Sequence, residues 1–588
     1  MIIDFDGKNF QLECSFRDNA KLHAIPNKRF NKRTSKWVVP PYRKNVEAIV
    51  RTVQDAKIMP LAQIAIDNTR KIRVSNLKFP IWYKPKTTPM MHQKEGLDFV
   101  YGKDAAALFM EMGTGKTKIG IDWASVLYME STIDRVLVIC PYSIRGNWVD
   151  EIKIHGPLEY RTQIIATSTK KMQNDFAKFM EDTRSASKKG RLPVAILGVE
   201  SVSQGYKKGK AFAMAEDFVS GGKVLVVVDE SHFIKTHNAN RSENVVWLGN
   251  YAVRKLIMTG TPLTQSPLDL YTQFQFLDPD IIGIGSWYAF RNQYAVLEEM
   301  RTSAGSYQKE VGYKNIEELA ESVGKFVFQS FKKDVLDLPD KVYETVKIAM
   351  SKEQSKIYKS MARERIAFIK SKVRDGGPIE IVADNILVSL NFLQQIASGF
   401  VMTKVEGQKT PDVEMLMAPK SNPKIREMLR ILEELDHSKK VIIWTKYRRE
   451  NLMVADILRE NFGPETVSEF HGGLTGDQRQ DNMKWFKRHD GTRFFVATLQ
   501  TGSVGLTLNE SDLVIYFSNS FKFTDRIQSE DRNHRIGQKN SVLYIDLLIE
   551  NSVEEQIRQA IKDKKSMSDY VAELIAEIGI DKAAATML

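Results

Sequence analysis

The strongest constraint on the fold is a set of short apolar runs spaced along most of the chain. RVLVICP, VAILGVE, KVLVVVDE and RKLIMTG lie in the first half, and KVIIWTKY, RFFVATLQT, DLVIYFS and VLYIDLLIE in the second. Each is rich in Val and Ile, bounded by turn residues and separated from the next by stretches of helical pattern. Strands buried on both faces read as continuous apolar runs, and parallel strands need long, usually helical, crossovers. The rhythm therefore predicts an α/β chain with two tandem parallel-sheet lobes. Residues 81–285 form the first lobe, and residues 421–588 the second with C-terminal helices. Between them, residues 286–420 carry helical stretches such as EQSKIYKSMARERIAFIKSKV and NILVSLNFLQQIASGF, broken at DGGP (375–378), and are expected to be a mostly helical insertion. Residues 1–80 read as a small α+β domain: FQLECSF and SKWVVPP alternate like strands and RKNVEAIVRTVQ like a short helix. DTRSASKKGRLP (182–193) reads as a surface loop.

Composition excludes several classes. With 43% hydrophobic and 27% charged residues, the chain has an ordinary core-forming balance. Two cysteines among 588 residues argue against a disulfide framework and fit a reducing compartment. No run reaches the ~18 apolar residues of a bilayer span, and MIIDFDGKNF lacks the apolar core of an export signal. The expectation is a cytoplasmic protein without membrane association, from a bacterial or virus-infected bacterial cell. The net charge of +12 favours a polyanionic partner. Nine of the basic residues fall between Lys21 and Arg51, against one acid, Glu47. Such a run suits a solvated surface or a nucleic-acid contact.

ALFMEMGTGKTKIGIDWA places Gly113, Thr114, Gly115, Lys116 and Thr117 between a strand and a helix. A glycine turn there lets backbone N–H groups approach phosphate oxygens, and the helix N-terminus adds positive potential. Lys116 would reach the β and γ phosphates of ATP, and the Thr117 hydroxyl would ligate Mg²⁺. Met110 stands where the general pattern wants glycine. The alternative is a glycine turn beside an ordinary surface lysine. The second component is KVLVVVDESHF, whose strand ends in Asp229 and Glu230. Asp229 would hold Mg²⁺, directly or through water, and Glu230 would act as general base on the attacking water. An exposed acidic pair at a strand end is the bland alternative. His232 reads as a coupling residue, because no cluster with metal-ligand spacing surrounds it.

These motifs resemble, in order from about residue 90 to 570, those of the superfamily 2 helicase-like ATPases, in particular the Swi/Snf branch of duplex-DNA translocases. MMHQKEGLDFV resembles the opening glutamine motif, and the resemblance implies that Gln93 reads adenine. EMGTGKT is similar to the first motif, in a branch that does not require glycine at position 110. VLVICPYSIRGNWVDEI resembles the next motif, DESH at 229–232 the acidic box, and MTGTPLTQSPLDLYTQFQFLDP the third motif, with Thr259 and Thr261 coupling the nucleotide and DNA sites. VIIWTKYRRENLMVADIL and FHGGLTGDQRQDNMKWF resemble the fourth-motif region. ATLQTGSVGLTL is similar to the fifth but departs from it at Ser503, beside Gly502, where a second glycine is usual, and at Thr507, where asparagine is usual. QSEDRNHRIGQ (528–538) resembles the sixth motif and implies that Arg532 and Arg535 face the nucleotide from the second lobe. An ion-pair cluster with Glu530 and Asp531 is the alternative for these arginines. The resemblance implies two RecA-like lobes, ATP and Mg²⁺ as cofactors, and duplex DNA as partner.

IPNKRFNKRTSKWVVPP resembles the HARP-type domain of annealing helicases in the same branch, through Ile25-Pro26, Arg29-Phe30, Thr34 and Trp37. Basic residues on a hairpin would suit phosphate contacts; Trp37 would serve either there or in the core. Together the resemblances imply an ATP-dependent motor on duplex, branched or forked DNA that remodels forks or anneals strands, in DNA repair or recombination. The rivals are a protein-displacing translocase, a strand-separating helicase and, from another class, a non-catalytic DNA-binding scaffold.

Overall fold

The computed structural model describes residues 1–7, 9–15, 22, 25, 28–39, 43–52, 56–68, 77–167, 169–186, 190–262, 266–302, 305–336, 338–374, 379–403, 412–502, 506–565, 567–578, 582–583 and 586. The chain divides into two compact units, Met1–Leu336 and Asp337–Leu588.

The first unit opens with a five-stranded sheet of β1 (Ile2–Phe5), β2 (Phe10–Glu13), β3 (Arg29–Asn31), β4 (Lys36–Val39) and β5 (Lys57–Ile58), in the order β3-β4-β2-β1-β5. Alternation puts Ile3, Phe5, Phe10, Leu12 and Val39 on one buried face, closed by the helices Arg43–Thr52 and Pro60–Asn68. Trp37 is half-buried against this core and meets Phe30 edge-on, with ring centroids 5.2 Å apart. β3 and β4 pair as an antiparallel hairpin, with Arg29 opposite Val38 and Asn31 opposite Lys36. Of the HARP-like residues, Pro26 lies outside the described residues.

A seven-stranded parallel sheet follows. It comprises β6 (Ala105–Met110), β7 (Arg135–Cys140), β8 (Glu159–Ile165), β9 (Arg191–Gly198), β10 (Val224–Asp229), β11 (Ala252–Thr259) and, beyond the hairpin β12 (Ala295–Thr302)–β13 (Gly305–Tyr313), β14 (Val327–Ser330). The order is β14-β6-β11-β10-β7-β9-β8. The expected apolar runs are its central strands: β6, β7 and β10 are buried along their whole length.

The second unit is a six-stranded parallel sheet of β15 (Lys341–Ile348), β18 (Val441–Thr445), β19 (Val467–Phe470), β20 (Phe494–Thr498), β21 (Leu513–Tyr516) and β22 (Val542–Ile549), ordered β15-β22-β21-β18-β20-β19. The helices Lys352–Arg374 and Ile379–Ala397 and the small hairpin β16 (Phe400–Thr403)–β17 (Asp412–Met415) extend it. Ile386, Leu390 and Leu393 from the second of these helices pack with Val553 and Ile557 of the helix Val553–Lys562.

Residues 286–420 are therefore not a mostly helical insertion bounded by two finished lobes. They supply β14 to the first sheet, β15 to the second and two hairpins, and the first lobe runs past residue 285 to Leu336. The expectation missed these strands because both are edges. VFQS is short, and KVYETVKI interleaves charges and hydroxyls with apolar residues because much of it faces solvent. The loop expected at 182–193 is also shorter: the helix Lys170–Ala186 enters it and β9 begins at Arg191. DGGP (375–378) lies outside the described residues.

The N-terminal domain is fastened to the first lobe around Trp247, Lys207 and Asn250. Trp247, on the helix Asn240–Gly249, stacks on Phe5 at 6.3 Å between centroids and 6° between planes. Its indole N–H donates to Glu216 Oε1 at 2.6 Å. The Lys207 ammonium lies 3.0 Å from its ring centroid and donates to the Asp6 carbonyl. Gly7, at φ +87°, lies flush against the ring, where a Cβ would fall 0.4 Å from a Trp247 carbon. Asn250 Nδ2 donates to the Gly7 carbonyl at 2.8 Å. Gly7→Ala combines a disfavoured φ with a direct clash, so limited proteolysis of that variant is expected to release the N-terminal domain from an otherwise folded core far faster than in the parent.

Candidate active site

Parallel strands deliver their C-terminal ends to one edge of a sheet, and ligand-binding groups of open α/β sheets gather there. In the first lobe β6 ends at Met110, β11 at Thr259 and β10 at Asp229, and the three are neighbours in the order β6-β11-β10. The turn after β6 carries Gly113 at φ +81° and Gly115 at φ +90°, conformations in which a side chain is strained. A Cβ on Gly115 would also lie 2.2 Å from Gln93 Nε2. The helix Lys116–Met129 starts at the next residue, so Lys116 and Thr117 occupy its first turn.

The Lys116 ammonium donates to the carbonyls of Met110 at 2.8 Å and Glu111 at 3.3 Å, which closes the loop on itself. Thr114 Oγ1 donates to the same Glu111 carbonyl at 2.7 Å. Gln93 is the third residue of the helix Met91–Val100. Its amide oxygen accepts from Met90 N at 3.0 Å, and its Nε2 donates to the Thr114 carbonyl at 3.1 Å. His92 Nε2 also meets the Thr114 carbonyl, at 2.7 Å. The residue expected to read adenine is thus bonded directly to the phosphate loop.

Asp229 is buried at the end of β10. Its two carboxylate oxygens accept from Trp148 Nε1 and from Glu230 N, each at 2.9 Å. Burial, reinforced by the neighbouring Glu230 carboxylate, pushes its pKa from 3.8 up to about 6, against the opposing pull of Lys116 and the donated hydrogen bonds. Glu230 adopts the left-handed conformation, φ 51° and ψ 53°, which is strained for glutamate and is the kind of backbone outlier found at functional sites. Its Oε2 lies 3.3 Å from Thr259 Oγ1 and 3.4 Å from His232 Nδ1. His232 Nδ1 and Thr259 Oγ1 are 3.1 Å apart, and Thr261 N donates to Thr259 Oγ1 at 3.1 Å. Glu230, His232 and Thr259 therefore form one hydrogen-bonded group that joins the ends of β10 and β11. The residues expected to hold Mg²⁺ suit a hard cation: a half-buried hydroxyl at Thr117 and a buried carboxylate at Asp229, leaving coordination places for water and phosphate. No cluster of three or more His, Cys, Asp or Glu with metal-holding geometry occurs among the described residues.

In the second unit, the helix Phe523–Glu530 leads into the segment that carries both arginines. Arg532 is buried, donates through Nη1 to the Leu506 carbonyl at 3.4 Å, and offers its own carbonyl to Leu508 N at 2.8 Å. Arg535 Nη1 donates to Thr507 Oγ1 at 2.7 Å. Thr507, a departure from the resembled motif, is thus one hydrogen-bond partner of Arg535. Glu530 engages Arg526 at 2.7 Å and Lys341 at 2.9 Å. Burial opposes its ionisation, but these two cations outweigh burial and hold its pKa below the ordinary value.

A family model for the SNF2-related domain matches residues 92–399, over half of the chain. The chain belongs to the SNF2-related family. A second model, the helicase conserved C-terminal domain, matches residues 423–537. The two sheets are this family's helicase-like ATPase core. Among curated relatives, the chain is 23% identical over 517 residues to Protein CHROMATIN REMODELING 24 of Arabidopsis thaliana, covering 82% of this chain and 46% of the relative. It is 22% identical over 472 residues to human TATA-binding protein-associated factor 172, covering 74% and 24%. The chain thus spans less than half the length of these relatives. Among solved structures it is similar to the Sulfolobus solfataricus SWI2/SNF2 ATPase core in complex with dsDNA, at 23% identity, TM-score 0.35, and coverage of 86% of this chain and 99% of that one.

Within the first lobe, the SNF2-related core gathers Gln93, Gly113, Thr114, Gly115, Lys116, Thr117, Asp229 and Glu230 at one sheet edge; Arg532 and Arg535 stand together in the second unit. Sequence reasoning missed His92, Trp148 and Gln273. Gln273 holds the acidic box from below by accepting from Ser231 Oγ at 2.6 Å. Nothing in the local pattern of the helix Arg145–His155 says which residue turns toward β10.

The raised pKa of Asp229 has a signed consequence for stability. The folded state binds a proton more tightly than the unfolded chain, so this group favours folding at low pH and loses that contribution as pH rises from about 4 through about 6. In metal-free protein, the stability of the parent relative to Asp229→Ala should grow as pH falls from 7 to 4, by roughly 1 kcal/mol per unit over the titrating range, as measured by paired denaturant melts.

Proposed function

We propose that the protein is a DNA-dependent ATPase that couples hydrolysis to movement along duplex DNA. The observation that carries this reading is the convergence of the phosphate loop, the Asp229–Glu230 pair and Thr259 on three neighbouring strand ends. The backbone N–H groups of 113–117 cradle the phosphates, while Lys116 leaves its carbonyl partners for the β and γ oxygens. Thr117 and Asp229 would hold Mg²⁺, which would supply positive charge to those oxygens. Glu230 accepts a proton from the attacking water, and its bonds to Thr259 and His232 fix the carboxylate that does so. Gln93, already tied to the loop, presents its amide to adenine. In the second unit, Arg532 and Arg535 are the cations that the family resemblance would assign to a transferring phosphoryl group, and Thr507 accepts a hydrogen bond from Arg535.

The finer reading is a motor acting on branched or forked DNA. It rests on the basic β3–β4 hairpin, where Arg29, Phe30, Lys32 and Arg33 sit near or at the tip, with Phe30 about half exposed. Phosphate contacts from such a hairpin are sequence-independent and weaken with salt. Because the N-terminal domain is pinned at Trp247, the hairpin travels with the first lobe as a fixed attachment.

Duplex DNA should stimulate ATP hydrolysis. Lys116→Ala should lower turnover about 10²-fold or more, and Glu230→Gln should lower kcat to a similar degree while nucleotide affinity is retained. Full activity in Lys116→Ala, or no hydrolysis by the parent with any DNA, would sink the ATPase reading. Removal of residues 1–80 should reduce the preference for forked over linear duplex more than it reduces basal ATPase. Equal loss on single-stranded, duplex and forked DNA would count against the fork reading alone.

A further inference from the structure

The phosphate loop carries one carboxylate, Glu111, that the proposed chemistry does not use. Glu111 follows the last residue of β6 and precedes Gly113 by two positions. Its main chain belongs to the loop: the Glu111 carbonyl accepts from the Lys116 ammonium at 3.3 Å, from Thr114 Oγ1 at 2.7 Å and from Thr114 N at 3.4 Å. Its carboxylate points the other way. Oε2 accepts from Lys332 N at 2.6 Å, and Glu111 N donates to the Ser330 carbonyl at 3.0 Å. Ser330 ends β14, the edge strand paired with β6, and Lys332 begins the segment that reaches Leu336, the last residue of the first unit. One residue is therefore bonded at its carbonyl to the phosphate-sensing lysine and at its carboxylate to the start of the connector leading out of the lobe.

We propose that Glu111 is a positioning residue that transmits phosphate-site occupancy to the connector 331–336; this rests on the reading of the loop as a nucleotide site. A bound phosphate withdraws the Lys116 ammonium from the Met110 and Glu111 carbonyls, because an ammonium with three protons turns its charge to the stronger acceptor. The Glu111 peptide then loses its cationic partner and relaxes. The carboxylate, two bonds beyond the Cβ of that residue, carries the change to the Lys332 amide. A hydrogen bond from an amide to a carboxylate is charge-assisted, so making or breaking it changes local opening substantially.

The test is hydrogen exchange of the 331–336 amides in the full chain, with and without Mg·ATPγS, with binding of the same nucleotide followed separately by calorimetry. The parent should show a change of about tenfold in connector exchange on binding. Glu111→Ala should exchange fast in both states although it still binds Mg·ATPγS, and Glu111→Gln, which keeps an acceptor oxygen on the same stem, should recover most of the response. In hydrolysis assays Glu111→Ala should lose kcat while KM for ATP changes little. A parent that binds Mg·ATPγS without any change at 331–336, or a Glu111→Ala variant whose connector responds as the parent's does, overturns the coupling and leaves the ATPase reading standing. A parent that binds no Mg·ATPγS overturns both.

Discussion

The Lys116 ammonium is held 2.8 Å from the Met110 carbonyl, at the point where β6 gives way to the helix Lys116–Met129. A buried cation without acceptors is costly, so the loop curls to supply two carbonyls. That curl needs positive φ at Gly113 and Gly115, and it leaves room for Gln93 only because Gly115 has no side chain. The same cation pulls down the pKa of Asp229, against the burial and the Glu230 charge that raise it. The edge of the first sheet is thus a balance between one cation and two carboxylates, held apart by strands that fix where each can go. Its acceptors are main-chain carbonyls, which a phosphate can replace without leaving a buried carboxylate unpartnered.

The second unit solves a different problem. Arg526 lies under the segment that carries Arg532 and Arg535, and it bonds Glu530 at 2.7 Å and Asp546 at 2.5 Å. Arg558 adds a second contact to Asp546 at 3.0 Å, and Tyr343 donates to Glu530 at 2.8 Å. Elsewhere in the unit, Glu450 receives hydroxyl bonds from Ser398 and Ser518, and the fully buried Lys424 pairs with Glu554. Burial pushes Lys446 down to about 7, despite the attraction of Glu450 and Glu554. Such buried ion pairs contribute little net stability over apolar packing, but loss of one partner leaves an uncompensated buried charge and is strongly destabilising. Lys446 ties the helix Ile379–Ala397 to the end of β18 by donating to Asn391 Oδ1 at 3.1 Å and Gln394 Oε1 at 2.6 Å.

The sequence by itself determined the central strands, the order of the motifs and the residue types at both half-sites. Strands buried on both faces must be continuously apolar, and glycines at positive φ admit few substitutes, so those features are written locally. Tertiary structure alone decided the rest. Edge strands β14 and β15 carry mixed polarity because only one side is covered, and their membership of the two sheets depends on partners more than 190 residues away in sequence. The same holds for Trp148 on Asp229, Thr507 on Arg535, Glu111 on the connector and Gly7 on Trp247. Each is a contact between side chains or backbones brought together by the sheet order, and a linear pattern contains no term for that distance.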